Sequence, residues 1–152
     1  MILAIDPGTT ESAYLAMDDW GKIQFFGKVD NLELASFIEK EGDYEELVIE
    51  EIQSFGMPIG REVLRTARWT GYFESTARDS NKPTIFVGRQ EVKLYWCGSP
   101  RAKDPNVRQA LIDHYGPPGT KKSPGVTYGI KKDIWSALAI AGYWHAKQNG
   151  RT

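Results

Sequence analysis

At 152 residues, with 41% hydrophobic side chains and one cysteine, the chain has the size of one compact domain and cannot form an intramolecular disulfide, a cysteine zinc site or a redox pair. It has no apolar run of about 18 residues and no basic leader with a cleavage site, so the expectation is a soluble, cytoplasmic protein with Cys97 as a buried, inert thiol. The net charge of −1 conceals a split, because residues 1–51 carry 13 acidic and 3 basic side chains while residues 52–152 carry 7 and 16; this suits a carboxylate-bearing half and a phosphate-binding half, although chance clustering of solvated charge gives the same numbers.

In chain order, Ile2–Ile5 is a short apolar run that stops at Asp6-Pro7-Gly8, which reads as a buried strand ending in a turn. Ser12–Met17 and Lys22–Val29 are β-prone and joined by Asp18-Asp19-Trp20-Gly21, the spacing of a hairpin, so the first three strands form an antiparallel meander. Asn31 is a candidate N-cap for a short helix carrying Leu32, Leu34, Ala35, Phe37 and Ile38, followed by a strand from Leu47 to Ile52. A longer helix spans about Gly60 to Arg78, and Val63, Leu64, Ala67 and Gly71 form the face expected to approach the sheet.

Pro83–Val87 reads as a fifth strand, then a helical turn around Gln90–Trp96 and a helix from Asp104 to Tyr115, with Pro105 in its first turn and Gly116 at its stop. Gly116–Gly129 lacks periodicity and reads as a mobile connection, after which a last helix runs from about Lys131 to Gln148. Strands first, then alternating helix and strand, give one mixed α/β sheet covered by helices, a single domain over residues 1–152.

Three acidic residues stand out: Asp6 at the end of the first strand, Glu50 on a middle strand and Asp133 at the start of the last helix. Hard divalent cations need oxygen ligands, and clustered carboxylates supply them. Each has a plain reading as well: Asp6 shapes a turn before Pro-Gly, and Asp133 complements a helix dipole. Glu50 and Glu51, being adjacent on a strand, point to opposite faces, so at most one joins a site.

As a set, these residues resemble the RuvC-type Holliday-junction resolvases of the RNase H-like superfamily. The resemblance rests on Ile2-Leu3-Ala4-Ile5-Asp6-Pro7-Gly8-Thr9, on Val48-Ile49-Glu50-Glu51-Ile52, and on Lys132-Asp133-Ile134-Trp135-Ser136-Ala137-Leu138-Ala139-Ile140-Ala141. A weaker match joins Val92-Lys93, Gly98, Ala102-Lys103 and Val107. The resemblance implies an RNase H-like mixed five-stranded sheet, three antiparallel strands followed by parallel ones, with helices on both faces. It implies a nuclease of DNA recombination or repair that uses Mg²⁺, or Mn²⁺ in its place, held by Asp6, Glu50 and Asp133. Lys103 would be the basic catalytic residue near the phosphate and Lys93 a DNA contact, though a solvated helix surface also explains both lysines. Where these resolvases carry a fourth acidic residue, three positions after the helix aspartate, this chain has Ser136.

The implied partner is four-way or branched DNA, cut by paired nicks from a homodimer, and brevity with the Ser136 departure suggests a phage-type member. Arg61, Arg65, Arg68, Lys121 and Lys122 are candidate phosphate contacts, against a solvated helix face for the arginines. Phe55, with Met57, is a candidate wedge between bases at a junction, against core burial or a dimer contact. Trp69, Tyr72 and Phe73 read as packing groups, and His114 and His145 receive no role. Three rivals stand beside this reading: an RNase H-type ribonuclease with the same chemistry, a branched-DNA-binding module without turnover, and an actin-like ATPase, for whose two large lobes the chain has too little room.

Overall fold

The computed structural model describes residues 1–150. Its chain order is β1 (Ile2–Asp6), β2 (Glu11–Met17), β3 (Ile23–Asp30), α1 (Asn31–Lys40), β4 (Glu46–Glu50), α2 (Arg61–Asp79), β5 (Thr84–Val87), α3 (Arg89–Cys97), α4 (Asp104–Tyr115) and α5 (Ile134–Gln148). One five-stranded sheet runs β3-β2-β1-β4-β5. The β1, β2 and β3 neighbours are antiparallel, whereas β4 pairs in parallel with β1 and β5 in parallel with β4. This is the RNase H-like mixed sheet, with helices on both faces.

Alternation along the central strands builds two cores. Ile2 and Ala4 of β1 and Val48 of β4 face α3, α4 and α5, while Leu3, Ile5, Leu47 and Ile49 face α1 and α2. Both faces of these strands are dry, which explains why Ile2–Ile5 and Leu47–Ile49 read as continuous apolar runs rather than alternating ones. Helix α5 crosses β1 and β2, and its Ala137, Ala139, Ala141 and Gly142 are buried, small side chains that permit close approach.

Several local expectations are corrected. The N-cap of α1 is Asp30, whose carboxylate accepts from Leu32 N; Asn31 lies inside the helix, wholly buried. Strand β4 stops at Glu50 rather than Ile52, with Glu51 N donating one further bond to Val87 O. Helix α5 begins at Ile134 rather than Lys131, because Lys132 has a φ of 50°, which breaks the helical path. Cys97 is half-buried rather than buried.

Helix α2 presents a different face from the one expected. Thr66, Thr70, Phe73 and Ala77 are buried, whereas Val63, Leu64, Ala67 and Gly71 are exposed. The threonines return their hydroxyls to Glu62 O and Ala67 O, which leaves their methyl groups free to pack. Phe73 fulfils the packing expectation and Trp69 is half-buried beside it, but Tyr72 is exposed. The segment expected to be a mobile connection is folded on itself. Thr120 and Ser123 exchange backbone bonds, Gly125 N donates to Pro118 O, and Thr127 Oγ1 closes the base on Gly116 O. Gly125 has no room for a side chain there, since a Cβ would lie 1.9 Å from Pro117 O.

Candidate active site

The parallel register pairs Ile5 with Ile49, so Asp6 and Glu50 are the next residues on neighbouring strands. Both continue the side of the sheet occupied by Ala4 and Val48, the side that α5 covers. Glu51 points to the other face and is exposed, so the strand itself selects Glu50. Asp133 enters from the turn before α5.

The loop after Asp6 is tightly held. Gly8 N donates to Ser12 Oγ at 3.0 Å, Ser12 Oγ donates to Asn31 Oδ1 at 2.6 Å, and Asn31 Nδ2 donates to Gly8 O at 2.9 Å. A Cβ on Gly8 would meet Glu11 O at 2.2 Å, so only glycine fits. Thr9 Oγ1 lies 3.2 Å from Thr66 Oγ1, which ties the loop to α2. The buried Asn31, first read as a cap, is therefore the brace of the loop that follows Asp6.

The three carboxylates sense one another. Burial, then the negative charges of Glu50 and Asp133, push the Asp6 carboxyl up to about 8, against Arg89 and a hydrogen bond from Ser136 that draw it down. Burial also raises Glu50, opposed by the cations of Arg89 and Lys93. Asp133 is paired, its Oδ2 accepting from Lys28 Nζ of β3 at 2.8 Å. Among the described residues, no three His, Cys, Asp or Glu side chains are drawn together as a ready-made metal cage. The set is open but all-oxygen, and its mutual repulsion is of the kind a hard divalent cation relieves, so its chemistry fits Mg²⁺ or Mn²⁺.

Beside the carboxylates, a cleft of about 560 Å³ lies between α3, α4 and α5, with Glu50, Asp133 and Ser136 in its wall. Arg89 Nε stands 3.9 Å from Glu50 Oε1, and Asp104 Oδ1 lies 4.0 Å from Arg89 and 3.6 Å from Lys93. Of the residues expected from the sequence, Glu50, Asp133 and Lys93 line this cleft, and Asp6 lies beside Glu50 on the neighbouring strand without lining it. Lys103 is exposed as the N-cap of α4, next to Asp104 on the cleft wall, rather than inside the cleft.

The remaining candidates lie on other surfaces. Arg61, Arg65 and Arg68 are exposed on α2, across the sheet from the cleft. Phe55 is 56% exposed in the β4–α2 loop, with a φ of 51°, and Met57 is 69% exposed. Lys121 and Lys122 occupy the turn between Thr120 and Ser123.

Sequence reading overlooked Arg89, Lys28, Arg108 and Lys132. The spacing of Arg89 and Lys93, one turn apart at a helix start, was a legible signal for the first. Lys132 stood beside Asp133 in the quoted motif. Lys28 gave none, because its partner is 105 residues away.

No protein-family model and no curated protein matches the chain. Among solved structures, Thermus thermophilus RuvC is similar with a TM-score of 0.70 and 19% identity, covering 99% of this chain and 96% of that one. The T. thermophilus RuvC complex with Holliday junction substrate gives 0.71 and 18%, with the same coverage. The yeast mitochondrial Holliday junction resolvase gives 0.65 and 12%, covering 97% of this chain and 80% of that one. Over nearly its whole length, the chain has the fold of the RuvC-type resolvases.

Proposed function

We propose that the protein is a Mg²⁺-dependent, structure-selective DNA endonuclease that acts as a homodimer and makes paired nicks in Holliday junctions or related branched DNA. The observation that carries this reading is the meeting of Asp6 and Glu50 on one face of adjacent parallel strands, with Asp133 presented from α5 beside a cleft walled by Arg89 and Lys93. The shared fold supports it, since one of the similar structures holds Holliday junction substrate.

Asp6, Glu50 and Asp133 would hold the cation, which supplies an activated water and charge stabilisation for cleavage of a phosphodiester. Arg89 and Lys93 would receive the strand's phosphates in the cleft, with Lys103 at its rim. Ser136 contributes a neutral hydroxyl beside Asp6, so the site carries less negative charge than a four-carboxylate set. Arg61, Arg65 and Arg68, with Lys121 and Lys122, would bind phosphates further out, and Phe55 stands free to wedge against bases. Leu64 and Tyr72, each 52% exposed, leave α2 with an apolar row suited to a second copy of the chain. Among the described residues, no helix is long and apolar enough to cross a membrane.

One observation favours a second reading, that of a branched-DNA-binding module without turnover: Ser136 stands where the resemblance leads one to expect a fourth carboxylate. Labelled four-way junction, flap, linear duplex and RNA–DNA hybrid, each with and without Mg²⁺ or Mn²⁺, separate the two. Metal-dependent paired nicks confined to branched DNA are expected. Asp6→Asn, Glu50→Gln and Asp133→Asn should each lower cutting by about a hundredfold or more while junction binding survives. Wild-type cutting by all three variants would remove the site, and tight junction binding by the native chain without cuts would establish the module instead.

A further inference from the structure

The cleft is lined by more than the carboxylates and their neighbours. Its charged lining is Arg89, Lys93, Arg108 and Lys132 with Glu50, Asp104 and Asp133. The same cleft is lined by Val92 from α3, Val107 and Ile112 from α4, and Ala139 and Ile140 from α5, of which Ile112 is half-buried and the other four are buried. A trench that only tracked a phosphate backbone would have no use for this apolar lining.

A flat platform stands in the same cleft. The guanidinium carbon of Arg108 lies 5.3 Å from the centre of the Trp135 ring, and both residues line the cleft. Arg108 is exposed whereas Trp135 is 7% exposed, so the guanidinium plane rather than the indole is the surface offered to an occupant. Gln109 supplies an amide at the wall, now donating to Asp113 Oδ1 at 2.9 Å on its own helix. Apolar walls, a planar cation and one amide, next to phosphate-binding charges, match the chemistry of a nucleobase still attached to its strand.

We propose that the cleft, at its Arg108–Trp135 platform, receives one unstacked nucleobase of the DNA, next to the phosphate held at the carboxylates. This rests on the nuclease reading above and gives it a source of structure selectivity. Drawing a base out of a continuous duplex breaks both its pairing and its stacking, and the cost is smallest where these are already disturbed. At a branch point the continuous stacking is interrupted, so a base beside the crossover fills the cleft at lower cost than one inside linear duplex. Duplex then binds through its phosphates alone, without seating a strand at the carboxylates.

The test places 4-thiothymidine singly at each crossover position of a four-way junction, binds the wild-type protein with metal withheld, irradiates, and maps the crosslinked peptides by mass spectrometry. One crossover position is expected to crosslink within residues 104–112 or 132–140. Ile112→Trp, which fills the cleft, should cut that yield about tenfold at protein concentrations that saturate the junction. Arg108→Ala, at an exposed site, should lower it too and serves as the second variant if thermal melting shows Ile112→Trp to be unfolded. Crosslinks found only on the Phe55 loop or on α2, or full yield from a folded Ile112→Trp protein, would overturn the proposal. Junction cleavage without the cleft crosslink refutes the base site and leaves the nuclease standing. The crosslink without cleavage of any substrate keeps the base site and refutes the nuclease.

Discussion

Helices α5 and α2 lie on opposite faces of one sheet and are built on opposite principles. Ten of the fifteen residues of α5 are buried, against four of the nineteen of α2. Helix α5 belongs to the core and carries the residue before it, Asp133, to a fixed place above β1 and β4. Helix α2 touches the rest of the protein along one narrow line of Thr66, Thr70, Phe73 and Ala77 and leaves arginines and apolar side chains bare. The first helix is locked into the core; the second leaves most of its surface uncovered. Burial therefore separates what the fold needs from what it leaves free more cleanly than hydrophobicity does.

The sharpest way to break this contrast is a pair of leucines. Leu138→Ala in α5 removes a fully buried side chain and should cost about 2–5 kcal/mol in urea or thermal unfolding. Leu64→Ala in α2 should change the unfolding free energy of the monomer by less than about 0.5 kcal/mol yet weaken self-association in sedimentation. Equal losses from both would erase the distinction.

A smaller effect is expected from Asn31→Ala, which unbraces the loop behind Asp6. With the Ser12 hydroxyl and Gly8 carbonyl left unpaired in a buried place, stability should fall by about 1–3 kcal/mol. A variant as stable as the native chain would show the brace to be incidental. Smallest in stability, but visible in binding, is Arg61→Ala with Arg65→Ala and Arg68→Ala. The slope of log affinity for junction DNA against log salt should shrink by about 2–3 with little change in unfolding. An unchanged slope would take α2 out of the proposed DNA surface and leave it to the proposed dimer.

The placing of two carboxylates of the candidate site was legible because strand geometry is strict. A period of two places Asp6 with Ala4 and Glu50 with Val48, and once β1 and β4 are neighbours the two carboxylates must meet. What sequence pattern could not supply was pairing across the fold. Val63 and Leu64 promised an inward face for α2 by hydrophobicity, but threonines that bond their own helix pack as well as aliphatic side chains. Asn31 looked like a cap because asparagine usually serves there, and only the approach of β2 made it a brace. Lys28 became Asp133's partner through a sheet edge that no local signal announces.

The small residues of α5 have one more consequence. Gly142 has no spare space, since a Cβ there would come within 2.5 Å of Tyr115 Oη and 2.6 Å of Trp96 Cζ2, and Ala137 and Ala141 are likewise wholly enclosed. Any enlargement along this helix pushes α5 off the sheet or away from α3 and α4, and Asp133 travels with it. Tolerance to substitution is therefore unevenly spread: the exposed face of α2 can change freely, whereas α5 is held nearly still by its own neighbours. A reshaped binding surface can be acquired without disturbing the carboxylates.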